Sequence, residues 1–162
     1  MPNLFEPDFD EPREHDGHYA MRARLGRQVG AERLGASVFE LPPGQAAYPY
    51  HLHLTEEELV FALTGGLSLR TPDGWRELER GEVLRFPVGE AGAHQIANFS
   101  TETARFLAIS TAGMPDVVIQ PDADKIGAFE RRPDGGGLTE WHRRDAAVGY
   151  WDRVPAPRPP GA

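Results

Sequence analysis

Apolar and polar positions alternate along this chain in short runs, and most runs end at glycine or proline. Within Tyr19–Arg27, the stretch Met21-Arg22-Ala23-Arg24-Leu25 alternates with period two. That predicts an edge strand, because successive side chains of a strand point to opposite faces. Further runs predict strands at Ala36–Leu41, closed by Pro42-Pro43-Gly44, and at Glu57–Leu63, closed by Gly65-Gly66. Leu67–Thr71 and Trp75–Leu78 flank Pro72-Asp73-Gly74, a turn signal that predicts a hairpin. Glu82–Phe86 stops at Pro87, Ala104–Ser110 ends near Gly113-Met114-Pro115, and Val117-Val118-Ile119 reads as one more strand. No segment before residue 115 carries a sustained apolar stripe at helical spacing. Turns recur about every 8–12 residues, the spacing of a sandwich or closed barrel, so the pattern predicts an all-β fold.

The ends read differently. Residues 1–18 lack periodicity and predict an acidic N-terminal arm, extended or poorly ordered. The body is assigned to residues 19–130. The C-terminal extension, 131–162, begins with a flexible link at Asp134-Gly135-Gly136-Gly137 and ends in a proline-rich tail, Pro155–Ala162. Between them Trp141–Trp151 fits either a short helix or an extended clasp.

Composition narrows the chemistry. The chain has 162 residues and a net charge of −8, and residues 6–16 alone hold six acids against one arginine. The acidity therefore belongs to the arm more than to the body. A basic footprint for nucleic acid is absent, as is a Lys/Arg cluster for an anionic membrane. No apolar run approaches the roughly 20 residues that span a bilayer, and the first twenty residues do not resemble a signal peptide. The expectation is a cytoplasmic protein with no nucleic-acid or membrane partner. Cysteine is absent, which removes disulfides, thiolate metal sites and cysteine nucleophiles. No Gly-x-Ser-x-Gly elbow or phosphate-binding loop offers another chemistry.

Three of the six histidines lie in the strand-rich middle: His51, His53 and His94. His51-Leu52-His53 puts two imidazoles on one face of a strand, close enough to chelate an ion. Glu58 follows five residues on, the last of three consecutive glutamates, and alternation puts His94 on the face of Ile96 and Asn98. Each piece alone has an ordinary reading: a surface histidine pair, a solvated strand start, a satisfied core histidine. For His15, His18 and His142 the ordinary reading stands.

Taken together, the spacing carries more. From Gly44 six residues lead to His51, then His53, four residues to Glu58 and six to Gly65. From Gly81 five residues lead to Pro87, then Gly89, four residues to His94 and three to Asn98. This resembles the two signature motifs of the cupin superfamily, over roughly Leu34 to Gly113, with longer gaps before His51 and His94 than the shortest family versions. The resemblance implies a jelly-roll β-barrel, or double-stranded β-helix. It also implies a divalent metal held by His51, His53, Glu58 and His94. Nitrogen and carboxylate donors suit Mn, Fe, Co, Ni or Zn. A one-residue slip would exchange Glu58 for Glu57 on the inner face; the spacing to Gly65 selects Glu58. A small-molecule ligand or substrate and a homodimer are likewise what the resemblance implies. Two functions follow: a metal-dependent enzyme acting on a small polar molecule, of oxygenase, isomerase or lyase type, or a non-catalytic metal- or ligand-binding module. Asn98 is assigned a structural role, and Arg70 and Arg85 are candidate anion anchors.

Overall fold

The computed structural model describes residues 1–10, 12–112, 115–130, 137–150 and 152–155. The Gly113-Met114 turn, most of the Asp134–Gly137 link, Trp151 and nearly all of the proline-rich tail therefore lie outside the described residues. Short strands dominate, as the frequent turns require. β1 (Arg13–His15), β2 (His18–Ala23) and β3 (Gly35–Leu41) precede β4 (Gln45–Ala46), β5 (Leu52–His53) and β6 (Glu58–Ala62). The hairpin of β7 (Leu67–Thr71) and β8 (Gly74–Glu77) leads to β9 (Val83–Phe86), β10 (Gln95–Asn98) and β11 (Ala104–Ser110). β12 (Asp116–Gln120), β13 (Lys125–Phe129) and β14 (Thr139–Arg143) complete the set.

The described strands form three antiparallel sheets, ordered β1-β2-β3-β11-β6-β9, β4-β10-β7-β8 and β14-β13-β12-β5. The first two enclose the core. Alternation directs Phe39 and Leu41 inward from β3, Val60 and Ala62 from β6, and Phe106 from β11. They meet Leu67, Leu69 and Ile96 of the opposing sheet. Phe39 and Phe106, directly paired across β3 and β11, stack with centroids 4.8 Å apart. The third sheet joins the C-terminal strands to the barrel through β12, which pairs with β5, the strand carrying His53.

One local expectation differs, and two open alternatives take a single form. The Tyr19–Arg27 run is strand only over β2, and β2 is not an edge, because β1 pairs with it on one side and β3 on the other. A four-residue helix, α1 (Leu25–Gln28), follows; Gly26 lets it sit close on the start of β3, since a Cβ there would stand 3.0 Å from Ala36 N and Leu34 O. The acidic arm is extended and held: the Asp10 amide donates to Arg22 O at 2.8 Å, Asp10 pairs with Arg24 at 2.7 Å, and Arg105 donates to Phe5 O. Of the two readings for Trp141–Trp151, the extended one holds through β14, and a single 3-10 turn (Arg144–Ala146) follows. Among the described residues no helix is long and apolar enough to cross a membrane.

Candidate metal centre

Four side chains converge at one end of the barrel core. His51 and His94 face each other across an isolated antiparallel bridge, each amide donating to the other's carbonyl at 3.1 and 2.8 Å. His53 lies two residues on in β5. Glu58 opens β6, where its pairing with Ser110 and Phe86 fixes the register. Glu57 consequently faces outward and forms an ion pair with Arg85. Arg70 is likewise engaged, in a two-pronged pair with Asp122 at 2.5 and 3.0 Å, beside the Tyr50 ring. Neither arginine enters the convergence. His142 is exposed and paired with Glu140 on β14.

The ligand atoms of His51, His53 and Glu58 lie within 4.8 Å of one another. Glu58 Oε2 is 3.3 Å from His94 Nε2 and 3.6 Å from His53 Nε2. Two atoms each about 2.1 Å from a common ion stand about 3–3.4 Å apart, so these spacings fit donors around one centre. Each ring is also fixed through its other nitrogen. His51 Nδ1 reaches Pro49 O at 2.9 Å, His94 Nδ1 reaches Gly92 O at 2.9 Å, and His53 Nδ1 reaches Asp116 Oδ2 at 2.6 Å. Carbonyl and carboxylate acceptors demand a proton on Nδ1, which leaves the Nε2 lone pair directed to the centre, the usual orientation of a metal-binding histidine. Phe86 supports the His94 ring from one face, with centroids 3.8 Å apart.

The electrostatics agree. Burial, then the charges of His94 and His53, holds His51 well below the ordinary histidine range. Burial lowers His94 to about 4. Both are neutral, as ligation requires. Burial also raises Glu58, and its Oε2, shielded from solvent, has no hydrogen-bond partner among the described residues. A carboxylate oxygen in that position costs free energy unless a cation meets it. The donor set therefore fits a divalent first-row ion.

Three further residues at the site carry little sequence signal. Asp116, at the head of β12, is 2% exposed and accepts hydrogen bonds from His53 and from Thr55 Oγ1 at 2.7 Å. Burial raises its pKa, but those two bonds, with the His53 charge and the Val117 backbone bond, turn the net shift downward. For His53 burial acts downward, while the Asp116 bond and the Glu58 charge reverse it. Glu56 is 8% exposed and groups with His53 and Asp116 within 4.8 Å. Arg22, on β2, faces the same cavity. That cavity, about 340 Å³, is walled by Phe39, Ile96 and Phe106, and the C-terminal strands add Val118, Phe129 and Trp141. Its size is that of a small-molecule site. Asn98, by contrast, is structural: it donates to Leu41 O at 2.8 Å and Glu102 O at 2.7 Å.

Comparison with known proteins agrees with this architecture. Residues 37–110 match the family described as Cupin domain. No curated protein matches the chain. A provisionally assigned sugar phosphate isomerase from Acidithiobacillus ferrooxidans is 29% identical, with a TM-score of 0.74 over 86% of this chain and 87% of its own. A sugar phosphate isomerase from a cupin superfamily, from Silicibacter pomeroyi, shares 22% identity and a TM-score of 0.76 over 94% of this chain and 98% of its own. A polyketide cyclase from Streptomyces resistomycificus is 26% identical, with a TM-score of 0.52 over 65% and 77%. Their descriptions differ while the barrel persists, so the fold does not choose a reaction. With the signature spacing, the paired antiparallel sheets and the family match in agreement, residues 37–110 of this chain are a cupin domain.

Proposed function

We propose that this cupin is a metal-dependent enzyme acting on a small polar molecule in the barrel cavity, with His51, His53, Glu58 and His94 as ligands of a Mn, Fe, Co, Ni or Zn ion. One observation carries the reading: Glu58 Oε2 is buried without a hydrogen-bond partner among the described residues and sits beside two histidine Nε2 atoms. A bound divalent ion supplies Lewis acidity, polarising a carbonyl or hydroxyl oxygen. Asp116 keeps His53 in the tautomer that ligation needs. The apolar walls at Phe39, Ile96 and Phe106 limit water. Glu56 is a carboxylate that lines the cavity beside His53 and outside the ligand set, placed to take a proton from the substrate and return it.

The relative that is 29% identical favours isomerisation of a hydroxy-carbonyl compound. In that reaction the carbon–hydrogen bond beside the carbonyl breaks, its proton passes through Glu56 to the former carbonyl carbon, and the hydroxyl proton passes to the former carbonyl oxygen, with no net oxidation. The test combines elemental analysis with proton NMR in D2O on a panel of hydroxy-aldehydes and hydroxy-ketones. The wild type is expected to hold one ion per chain, His142→Ala to keep it, and Glu58→Gln to lose most of it. Deuterium should enter at the carbon beside the carbonyl, and Glu56→Gln should stop that exchange with the ion retained. Equal metal content in wild type and Glu58→Gln overturns the ligand set. A retained ion with no turnover on any compound assigns the chain to the non-catalytic reading.

A further inference from the structure

We propose that Trp141 and Phe129 form an aromatic wall for the bound molecule, so that the hydroxy-carbonyl compound taken up carries a carbon ring on the side away from the His/Glu cluster. The proposal rests on the enzyme reading above and names the substrate class for the same cavity. The registers put wall and cluster on one face of the third sheet. His53 pairs with Val118, Val118 with Gly127 and Gly127 with Trp141, so these four residues form one row across β5, β12, β13 and β14. Residues directly opposite in a ladder point to the same face, and His53, Val118 and Trp141 all line the cavity. Phe129, two residues from Gly127 on β13, shares that face and lines the cavity as well.

Gly127 decides where the indole lies. A Cβ at this position would stand 2.8 Å from Trp141 Cδ2 and Cε3 and 2.9 Å from Phe129 Cε2, so the two rings occupy the space that any other residue would fill. The indole therefore leans from β14 over β13, in the direction of Val118 and the cluster. Phe129 meets it edge to face, with centroids 5.2 Å apart and planes at 76°. Stability does not account for this placement. Trp141 is 41% exposed, whereas Phe39 and Phe106, stacked in the barrel core, are 4% and 3% exposed. An indole held in position at a cavity and left partly open has apolar surface for a ligand to cover.

Strand spacing sets the length of the ligand. β5 and β13 are two spacings apart, about 10 Å. A three-carbon hydroxy-ketone with its oxygens at the His/Glu cluster stops short of the indole. A six-membered ring on the same two-carbon head covers the gap, and the cavity of about 340 Å³ admits it. A flat ring also gains most from flat walls, because aromatic rings attract one another in offset or edge-to-face pairs beyond the area they bury. An aromatic ring and the C–H face of a saturated ring share this chemistry.

The test uses three hydroxamates with one head and different tails: acetohydroxamate, cyclohexanecarbohydroxamate and benzohydroxamate. Each presents adjacent carbonyl and hydroxyl oxygens, and nitrogen in place of the carbinol carbon prevents turnover. They are titrated calorimetrically into wild-type protein, metal-loaded and metal-free. At least one ring compound is expected to bind about ten-fold or more tightly than acetohydroxamate, and the tighter one identifies the kind of ring. Trp141→Ala should cut that ratio about five-fold. Trp141→Phe should restore part of it, and Gly127→Ala, which pushes the indole aside, should lower it, all with metal content unchanged. Ring compounds should quench tryptophan emission in wild type and in Trp75→Phe, which removes the indole against Phe99 on β8, but not in Trp141→Phe. Equal binding of all three compounds by the wild type, including no binding at all, overturns the wall. So does a ring preference that survives in Trp141→Ala, or quenching that survives in Trp141→Phe. Metal content and deuterium exchange, measured on the same samples, separate this outcome from failure of the enzyme reading. A wild type with its ion and its exchange but no ring preference loses only the wall, whereas one without an ion whose preference still depends on Trp141 loses only the metal.

Discussion

Replacing Asp116 by asparagine probes how the cluster is kept in a ligating state. The side chain is 3% exposed, and its two oxygens serve two donors, His53 Nδ1 at 2.6 Å and Thr55 Oγ1 at 2.7 Å. Asparagine keeps the shape but turns one acceptor into an N–H donor. Whichever way the amide is oriented, either His53 or Thr55 then faces a donor. If His53 loses its acceptor, its proton moves to Nε2, the atom that stands 3.6 Å from Glu58. A hydrogen bond to a charged group contributes about 1.5–3 kcal/mol. A lost partner behind a metal-bound histidine weakens metal binding by about 10–100-fold, or about 1.4–2.7 kcal/mol. The two magnitudes coincide, so nearly all of the lost bond should appear as lost metal affinity. Competition against a chromophoric chelator at pH 7.5 measures it. Asp116→Asn is expected to bind the ion 10–100-fold more weakly than wild type, and His53→Ala more weakly still. An Asp116→Asn affinity within two-fold of wild type would refute the orienting role.

The remaining predictions concern backbone approach and acid stability. Gly92→Ala places a Cβ 1.7 Å from Pro87 O, so the backbone that positions the His94 acceptor must move; a loss of about 3 kcal/mol in urea unfolding is expected, and unchanged stability would contradict that approach. In metal-free protein His94 is lowered to about 4 by burial, against 6.5 when unfolded. Its stabilising contribution is therefore complete above pH 6.5 and is lost as the pH falls toward 4, about 3 kcal/mol in all. His53 and Glu58, both raised, act in the opposite direction, so the difference between wild type and His94→Gln isolates the effect. That difference should change by about 2–3 kcal/mol between pH 7.5 and 4.5, and a constant difference would count against a buried neutral His94.

Much of the barrel can be read from the chain because its signals are local. β7 and β11 coincide residue for residue with apolar runs bounded by turn residues. The inward glutamate follows from alternation once a single spacing to Gly65 sets the register, and the structure turns Glu57 outward. What escapes depends on contacts between distant segments. Asp116 is 63 residues from His53, and their bond exists because β12 pairs with β5. Glu56 reads as a solvated strand start, since nothing in three adjacent glutamates tells which one the bend before β6 buries. Arg22 reads as the outer position of an edge strand, and only the addition of β1 beyond β2 and the pairing with Phe39 show its inward face. The anchoring of the acidic arm likewise rests on Arg24 and Arg105, far along the chain from the residues they hold.

The bridge between His51 and His94 has a consequence for metal exchange. Two backbone hydrogen bonds, together with Pro49 O and Gly92 O behind the rings, assemble this half of the donor set by folding alone. An ion held in the proposed site would leave the cage standing on its departure, so one cation would replace another without refolding, and chelation would not denature the protein as it does a zinc finger. A preassembled cage also fixes the span between donors. Discrimination among first-row ions then rests on how well each radius and coordination geometry matches that span, against an affinity order that otherwise favours copper.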